Sequence, residues 1–172
     1  IDFETANEQR GSACSVGLAW IEEGRVTRVE ERLIRPREMR FSGMNIAIHG
    51  IRPEHVEDAA EFPEVMDEFE EDFRGATMIA HNASFDFSVW RASLDLYRQS
   101  YPELTYLCSL KMAQRIWPHF LSHRLNLIAV HLGLLRVVVP LEVLLVLHAL
   151  GERLLRVDEP RAAAACPGIA VP

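Results

Sequence analysis

Three acidic residues in two distant segments of this chain could together bind a metal ion. Asp2 and Glu4 lie two positions apart in an apolar run, and this spacing places both side chains on one face of a β-strand. Asp86 follows the apolar residues 77–80 and lies where a helical pattern begins. Brought together by folding, the three carboxylates would offer Mg²⁺ or Mn²⁺ the oxygen ligands that these ions prefer. Taken singly, each acid is as well explained by a solvated strand end or by the helix dipole.

Hydrophobic periodicity predicts the elements that must position these acids. Residues 12–21 and 25–34 are apolar-rich and β-branched, and the intervening Glu22-Glu23-Gly24 is typical of a hairpin turn. Together with the first strand they predict a three-stranded antiparallel meander. Pro36 is expected to end the third strand, and residues 37–60 are interpreted as a long surface segment. Apolar residues at helical spacing then predict one helix over 62–73, ended by Gly75.

The remainder of the chain alternates between strands and helices. Strands are predicted at 77–80 and 104–108, and helices at 84–97, about 109–117 and 124–133. Pro140 suits the first turn of a largely buried helix that runs to about Arg156. This order predicts an α/β fold in which helices cover the faces of a mixed sheet. We expect one domain over residues 1–159 and a flexible tail over 160–172.

Composition fits one globular domain, with 172 residues of which 49% are hydrophobic. No apolar run is long enough to predict a transmembrane helix, and the start lacks a secretory signal, so we expect a cytoplasmic protein without a membrane partner. The chain begins without Met just before the first candidate ligand, and we expect the first strand to be truncated. The widely spaced Cys14, Cys108 and Cys166 are interpreted as reduced thiols.

The net charge of −7 is unevenly distributed. Residues 54–72 contain ten of the 25 acidic residues and no Lys or Arg, so the rest of the chain holds 18 basic against 15 acidic residues. The overall balance argues against tight non-specific binding of nucleic acid, although it leaves room for a local basic track. We interpret the acidic segment as the solvated face of one helix.

An ordered series of short motifs runs through most of the chain. They are Asp2-Phe3-Glu4-Thr5, His49-Gly50-Ile51-Arg52-Pro53-Glu54, Phe62-Pro63-Glu64-Val65, Ala80 to Asp86, Cys108-Ser109-Leu110, Trp117-Pro118 and Ser122 to Leu134. This series resembles the DEDD-type (DEDDh) 3′–5′ exonucleases, the family of the proofreading epsilon subunit of bacterial DNA polymerase III and its stand-alone homologues. The resemblance implies a ribonuclease H-like fold, two divalent metal ions and hydrolysis of nucleic acids from the 3′ end.

The resemblance also implies roles for individual residues. Asp2 would bridge two Mg²⁺ or Mn²⁺ ions, Glu4 would help to hold the ion that activates water, and Asp86 would support the other ion. Two such ions can serve the attacking and the leaving oxygen of a phosphodiester. Residues expected to line the terminal nucleotide are Phe3, Thr5, His49, Gly50, Ile51, Asn82 and Phe85. The implied partners are single-stranded DNA or RNA 3′ ends, and a DNA polymerase or a second copy of the chain.

The chain departs from the family pattern where the family carries His-x-x-x-x-Asp. In that register Val138 stands at the general-base position and Val143 at the fourth-ligand position. Valine neither accepts a proton nor binds a hard cation, and loss of a positioned acid–base group typically costs about 10²–10⁴-fold in rate. We therefore expect an impaired exonuclease. Two alternatives stay open: a non-catalytic module that binds nucleic acid or a polymerase, and an ordinary exonuclease whose valines are introduced changes or a sequence artefact.

Overall fold

The computed structural model describes residues 1–132, which begin with an antiparallel sheet. Its strands are β1 (Asp2–Thr5), β2 (Ala13–Glu22) and β3 (Arg25–Leu33), in the order β1-β2-β3. The β2–β3 turn contains Glu23 and Gly24 at positive φ, which is the backbone conformation that tight hairpin turns demand. The three-stranded meander and its hairpin were therefore predicted correctly from the sequence.

The segment that follows β3 is more regular than the sequence predicts. It contains α1 (Gly43–His49) and α2 (Pro53–Val56) instead of an unbroken surface segment. Ser42 caps α1 by accepting a hydrogen bond from the Asn45 N–H at 3.3 Å, and Pro53 occupies the first turn of α2, where its missing N–H costs nothing. The buried Val56 anchors α2 in a small apolar cluster with Cys14.

The single helix expected over residues 62–73 is wrong. The chain forms α3 (Phe62–Asp67) and α4 (Glu70–Phe73), interrupted at Phe69, whose φ of −114° and ψ of 6° leave the helical range. The interruption allows the ring of Phe69 to pack on Trp20 at 5.8 Å between centroids, while Phe73 packs on Trp90 at 5.1 Å. Burial of both aromatic rings thus outweighs the continuity of the helix.

The same correction applies to the acidic segment 54–72, which does not form the solvated face of one helix. It spreads over α2, α3 and α4, and part of it faces arginines of the edge strand β3. Arg28 pairs with Asp72 at 3.0 Å and Arg32 pairs with Glu68 at 2.9 Å. These acids neutralise the chain's own basic residues.

The second half of the described chain supplies a parallel strand pair and three helices. These elements are β4 (Thr77–Ala80), α5 (Ala83–Tyr97), β5 (Thr105–Cys108), α6 (Ser109–Ile116) and α7 (Leu125–His131), with β4 and β5 parallel. The Ile1 nitrogen donates a hydrogen bond to the Ile79 carbonyl at 2.8 Å, so β1 meets β4 where the antiparallel and parallel parts of the fold join. The strands form two sheets, one of three antiparallel strands and one of two parallel strands, in place of the single mixed sheet expected, and the predicted α/β class is confirmed.

The principal core fills the space between β1, β2 and the helices α3 and α5. The Phe3 side chain is only 1% exposed and packs between Phe62 and Trp90, at 6.1 and 6.0 Å between ring centroids. Because Phe3 sits between Asp2 and Glu4, its burial fixes the strand that carries both acids. The core therefore determines where the acids lie.

Several expectations concern residues outside the described part of the chain. They are Val138, Val143, the helix from Pro140 to Arg156, the domain boundary at 159 and the tail 160–172. Within residues 1–132, no helix is long and apolar enough to cross a membrane. Cys14 and Cys108 are free thiols; Cys14 is buried and Cys108 is half-buried.

Candidate active site

Strand β1 presents Asp2 and Glu4 on the face opposite to the core. Side chains alternate along a strand, and the observed pattern follows this rule, since Phe3 and Thr5 are buried while the two acids are half-buried. The strand is paired with β2 through Phe3 and Val16, and its register shifts between Glu4 and Thr5. The acids thus lie on a short, well-anchored strand just before an irregularity.

Helix α5 brings the third acid to this strand. Asp86 is 1% exposed, and its Oδ1 accepts a hydrogen bond from the Phe3 N–H at 3.0 Å, across 83 positions of sequence. The helix begins after Asn82, which has a φ of 65° and a ψ of 49°. Asn tolerates this left-handed conformation better than most residues. The abrupt change of direction at Asn82 lets α5 start beside β1, with Asp86 in its first turn.

Burial makes the acids of this site difficult to ionise. It raises the pKa of Glu4 to about 7, and the charges of Asp2 and Asp86 add to that rise. Burial likewise raises the pKa of Asp86 to about 7, although the hydrogen bond from Phe3 acts in the opposite direction. Burial also raises the pKa of Asp2. The three carboxylates are therefore close enough to interact and lack compensating positive charge from the side chains of residues 1–132.

This chemistry suits a hard divalent cation. The donors are carboxylate oxygens, and a bound cation would relieve both the burial cost and the mutual repulsion that raise their pKa values. Among the side chains of residues 1–132, however, no three His, Cys, Asp or Glu form a ready-made metal site. The described chain thus provides the appropriate ligand chemistry without a preformed cage, and the expected fourth-ligand position, Val143, lies outside it.

A second group of residues surrounds the end of β1. The Thr5 carbonyl accepts hydrogen bonds from Asn45 Nδ2 at 2.8 Å and from His49 Nε2 at 3.1 Å. His49 Nδ1 accepts the Ile51 N–H at 3.0 Å, which assigns the ring proton to Nε2. Burial lowers the pKa of His49, so this ring is neutral and fixed. Gly50 ends α1 with a φ of 76°, which favours glycine.

The remaining nucleotide-lining candidates fall into two classes. The side chains of Phe3 and Ile51 are buried in apolar clusters, so only their backbones could face a ligand. Asn82 is exposed and Phe85 is half-buried, so both can contact a ligand directly. The predicted set is thus divided between residues that shape the site and residues that can touch a substrate.

Sequence reasoning missed two polar residues near the site. Asn45 fixes the Thr5 backbone, and its position four residues before His49 on the same helix face was the available signal. Arg10 places its guanidinium 4.3 Å from the centroid of the Phe85 ring, and no local pattern pointed to it. His81, which directly follows β4, contacts Ser109 Oγ at 3.1 Å and the His123 carbonyl at 3.0 Å.

Comparison with known proteins decides the family. The exonuclease family model RNase_T matches residues 1–136 of the 172-residue chain. The chain belongs to this exonuclease family. The match spans β1, α5 and every other described element, and it confirms the membership that the ordered motifs predicted.

One curated relative is the DNA polymerase III subunit epsilon of Escherichia coli (strain K12). It is 30% identical over 130 residues, which cover 69% of this chain and 53% of that protein. The chain therefore spans about half the length of the curated relatives it matches first.

Two solved structures establish the fold. Exonuclease X in complex with 5′ overhanging duplex DNA aligns with a TM-score of 0.71 and 22% identity, over 91% of this chain and 90% of that one. The nuclease domain of 3′hExo, a DEDDh family member bound to rAMP, aligns with a TM-score of 0.75 and 16% identity, over 92% and 90%. The ribonuclease H-like α/β fold predicted from the sequence is confirmed.

Proposed function

We propose that this exonuclease-family chain binds the 3′ ends of single-stranded DNA or RNA at its carboxylate site and hydrolyses them poorly. The observation that carries the proposal is the hydrogen bond between Asp86 and the Phe3 N–H. It brings a helix-borne carboxylate to the strand that carries Asp2 and Glu4. Buried acids with raised pKa values, gathered in one place, are characteristic of functional sites and costly for a merely structural one.

In this proposal Asp2, Glu4 and Asp86 would hold two Mg²⁺ or Mn²⁺ ions. When bound, such ions supply the positive charge that activates water and stabilises the leaving oxygen of a phosphodiester. The chain contributes rigidity, because the burial of Phe3 holds β1 in place and the hydrogen bond of Asp86 joins α5 to β1. The two elements that carry the acids are thus held in place relative to each other before substrate arrives.

The nucleotide would lie between the two groups of residues at the end of β1. Phe85 offers a half-buried aromatic ring, and Asn82 offers an exposed amide one turn away. Burial lowers the pKa of His49 and its Nδ1 accepts the Ile51 N–H, so the ring would shape the wall without adding charge. Stacking and backbone contacts of this kind do not depend on base identity, which suits an enzyme that removes nucleotides of any sequence.

Poor hydrolysis follows from the two valines assigned by the family register. Val138 would stand where a histidine takes the proton of the attacking water, and Val143 would stand where a carboxylate completes the ligands. Absence of the positioned base alone would lower the rate by about 10²–10⁴-fold. We therefore expect the described acids to support binding, and Val138 and Val143 to limit catalysis.

The decisive experiment restores both positions. A 5′-labelled single-stranded oligonucleotide is incubated with Mg²⁺ or Mn²⁺ and with the wild-type protein or the double variant Val138→His, Val143→Asp. We expect 3′ trimming by the double variant to be at least about 100-fold faster than by the wild type. Adding Asp2→Asn and Glu4→Gln to the double variant should abolish the gain. Rapid trimming by the wild type would overturn the proposed impairment.

The second candidate function is a non-catalytic module that binds nucleic acid or a polymerase. The observation in its favour is that His49, Gly50 and Asn82 keep defined conformations while the two catalytic positions carry valine. The epsilon relative is by name a polymerase subunit, which makes a polymerase a reasonable partner to test. Oligonucleotide binding by the restored double variant without any trimming would favour this candidate.

A further inference from the structure

The turn between β1 and β2 places an arginine on an aromatic ring next to the candidate site. Arg10 Cζ lies 4.3 Å from the centroid of the Phe85 ring, well within the range of a cation–π interaction. Arg10 is exposed, whereas Phe85 is half-buried. Phe85 directly precedes Asp86, whose carboxylate contacts the backbone of β1. The guanidinium is thus the positive group that sits on the helix turn bearing the third acid.

The backbone that carries Arg10 is held on both sides. The buried Asn7 donates from Nδ2 to the Arg40 carbonyl at 2.7 Å and accepts the Gln9 N–H at 2.9 Å. Ser12 Oγ donates to the Gln9 carbonyl at 2.6 Å. These contacts fix the backbone position from which the exposed Arg10 side chain extends.

The turn also lies against α5, because Gly11 comes close to that helix. A Cβ at Gly11 would lie 3.4 Å from the Ala92 carbonyl oxygen, which places the turn at van der Waals distance from this helix. Ala92 is two helical turns from Phe85 and on the same face of α5. Arg10 therefore reaches along this face toward the beginning of the helix, where Asp86 lies.

Arg10 differs in its partners from the arginines that form ion pairs. Arg28, Arg32 and Arg40 each form an ion pair with a carboxylate at 3.1 Å or less. Within residues 1–132, Arg10 takes part in no ion pair, and its guanidinium lies over the Phe85 ring. A guanidinium held by a ring alone keeps its donors available for an anion.

We propose, on the basis of the function proposed above, that Arg10 binds a phosphate of the single-stranded substrate. In the free protein its guanidinium covers Phe85. When a nucleobase stacks on the ring, the guanidinium leaves that face and pairs with a backbone phosphate of the bound strand. Both contacts are indifferent to sequence, because every base has a stacking face and every nucleotide carries a phosphate. Arg10 thereby supplies positive charge that the acidic chain otherwise lacks at this site.

Binding without hydrolysis tests the proposal. Anisotropy of a 5′-fluorescein single-stranded dT oligonucleotide is measured with Ca²⁺ at several salt concentrations. We expect Arg10→Ala to weaken binding about 5- to 30-fold and to reduce the salt slope of log affinity by about 0.7. Arg10→Lys should recover the slope but only part of the affinity, because an ammonium lacks the planar fork.

Arg25→Ala is the matched control, since it removes an exposed arginine at the remote β2–β3 hairpin; affinity and slope should stay as in the wild type. Phe85→Leu removes the ring and keeps the charge, so it should lower affinity and leave the slope unchanged. If Arg10→Ala and Arg25→Ala behave alike while the wild type binds, the role of Arg10 is refuted and the proposed function stands. If the wild type binds no oligonucleotide, both are refuted.

Discussion

Two groups of carboxylates in this protein have opposite electrostatics. Glu4 and Asp86 are removed from water, and burial raises the pKa of each to about 7. Glu8 and Glu30 lie on the surface, where hydrogen bonds from arginine side chains lower the pKa of both. The pKa of a carboxylate in this protein is therefore raised where the group is buried and lowered where arginine side chains donate hydrogen bonds to it.

The difference shows which carboxylates are paired with an arginine side chain of the same chain and which are not. The surface acids find their counter-charges within the chain, for example between Arg40 and Glu8 at 2.7 Å. Among the site acids, Asp86 accepts the Phe3 N–H and the Ile1 ammonium lies near Asp2 and Asp86, yet burial outweighs these contacts and raises the pKa of all three acids. Burying such groups costs stability unless a proton or a cation joins them. The surface acids are thus paired within the fold, whereas the acids of the candidate site would gain from a bound cation.

The largest expected effect is on the affinity for Mn²⁺, which should depend on the site acids and not on the surface acids. Asp2→Asn combined with Glu4→Gln should weaken Mn²⁺ binding by roughly 100-fold or more, because hard cations depend on carboxylate ligands. The matched control is Glu8→Gln combined with Glu30→Gln, which removes two acids from the surface. Isothermal titration calorimetry with Mn²⁺ measures both. Equal losses in the two double variants would show that the site acids are not ligands.

The next effect concerns stability in the absence of metal. Asp86→Asn should raise the free energy of unfolding by about 2 kcal/mol at pH 8, because it removes the burial cost of the ionised form. Asn can still accept the Phe3 N–H through its Oδ1. Thermal and urea unfolding at pH 8 and pH 5, with EDTA present, provide the measurement.

The pH dependence of that gain has a definite sign. The pKa of Asp86 rises from 3.8 to about 7 in the folded protein, so the carboxyl stabilises the fold fully below pH 3.8, where it is protonated. That stability is lost as the pH rises through 7. The advantage of Asp86→Asn should therefore grow between pH 5 and pH 8. A gain of the same size at both values would contradict the raised pKa.

The smallest effect is expected from the surface group, and it has the opposite sign. The pKa of Glu30 is lowered by hydrogen bonds from Arg32 and Arg28, so Glu30 stabilises the fold above its ordinary pKa and loses that contribution as the pH falls. Glu30→Gln should lower the melting temperature slightly at pH 7 and less in high salt. Differential scanning calorimetry at two salt concentrations tests this; a salt-independent loss would point to packing.

The strands, and the places of the three candidate acids on β1 and α5, could be predicted for local reasons. Asp2 and Glu4 are two positions apart, a relation that any strand turns into a shared face. The buried run 77–80 followed by Asn82 indicated a strand, a turn and a new helix, and Asp86 falls in the first turn of that helix. These features depend on residues that are close together in sequence. The ordered motifs in addition indicated the exonuclease family.

The expectations that failed depended on distant neighbours. The break at Phe69 follows from the position of Trp20, which belongs to another element. The Ile51 side chain joins an apolar cluster with Ala6 and Val56, a contact that its neighbours in sequence did not indicate. Such contacts join residues far apart in sequence, and local periodicity contains no information about them.

By itself the sequence determined the family, the acids available as oxygen ligands and the positions of β1 to β5, because motifs and periodicity are local properties of the chain. Only the tertiary structure decided that Asp86 reaches the Phe3 backbone, that His49 is neutral and that Arg10 covers Phe85. Each of these facts depends on which groups are buried together. Burial and proximity set the pKa values and the available donors, and both arise when distant segments pack.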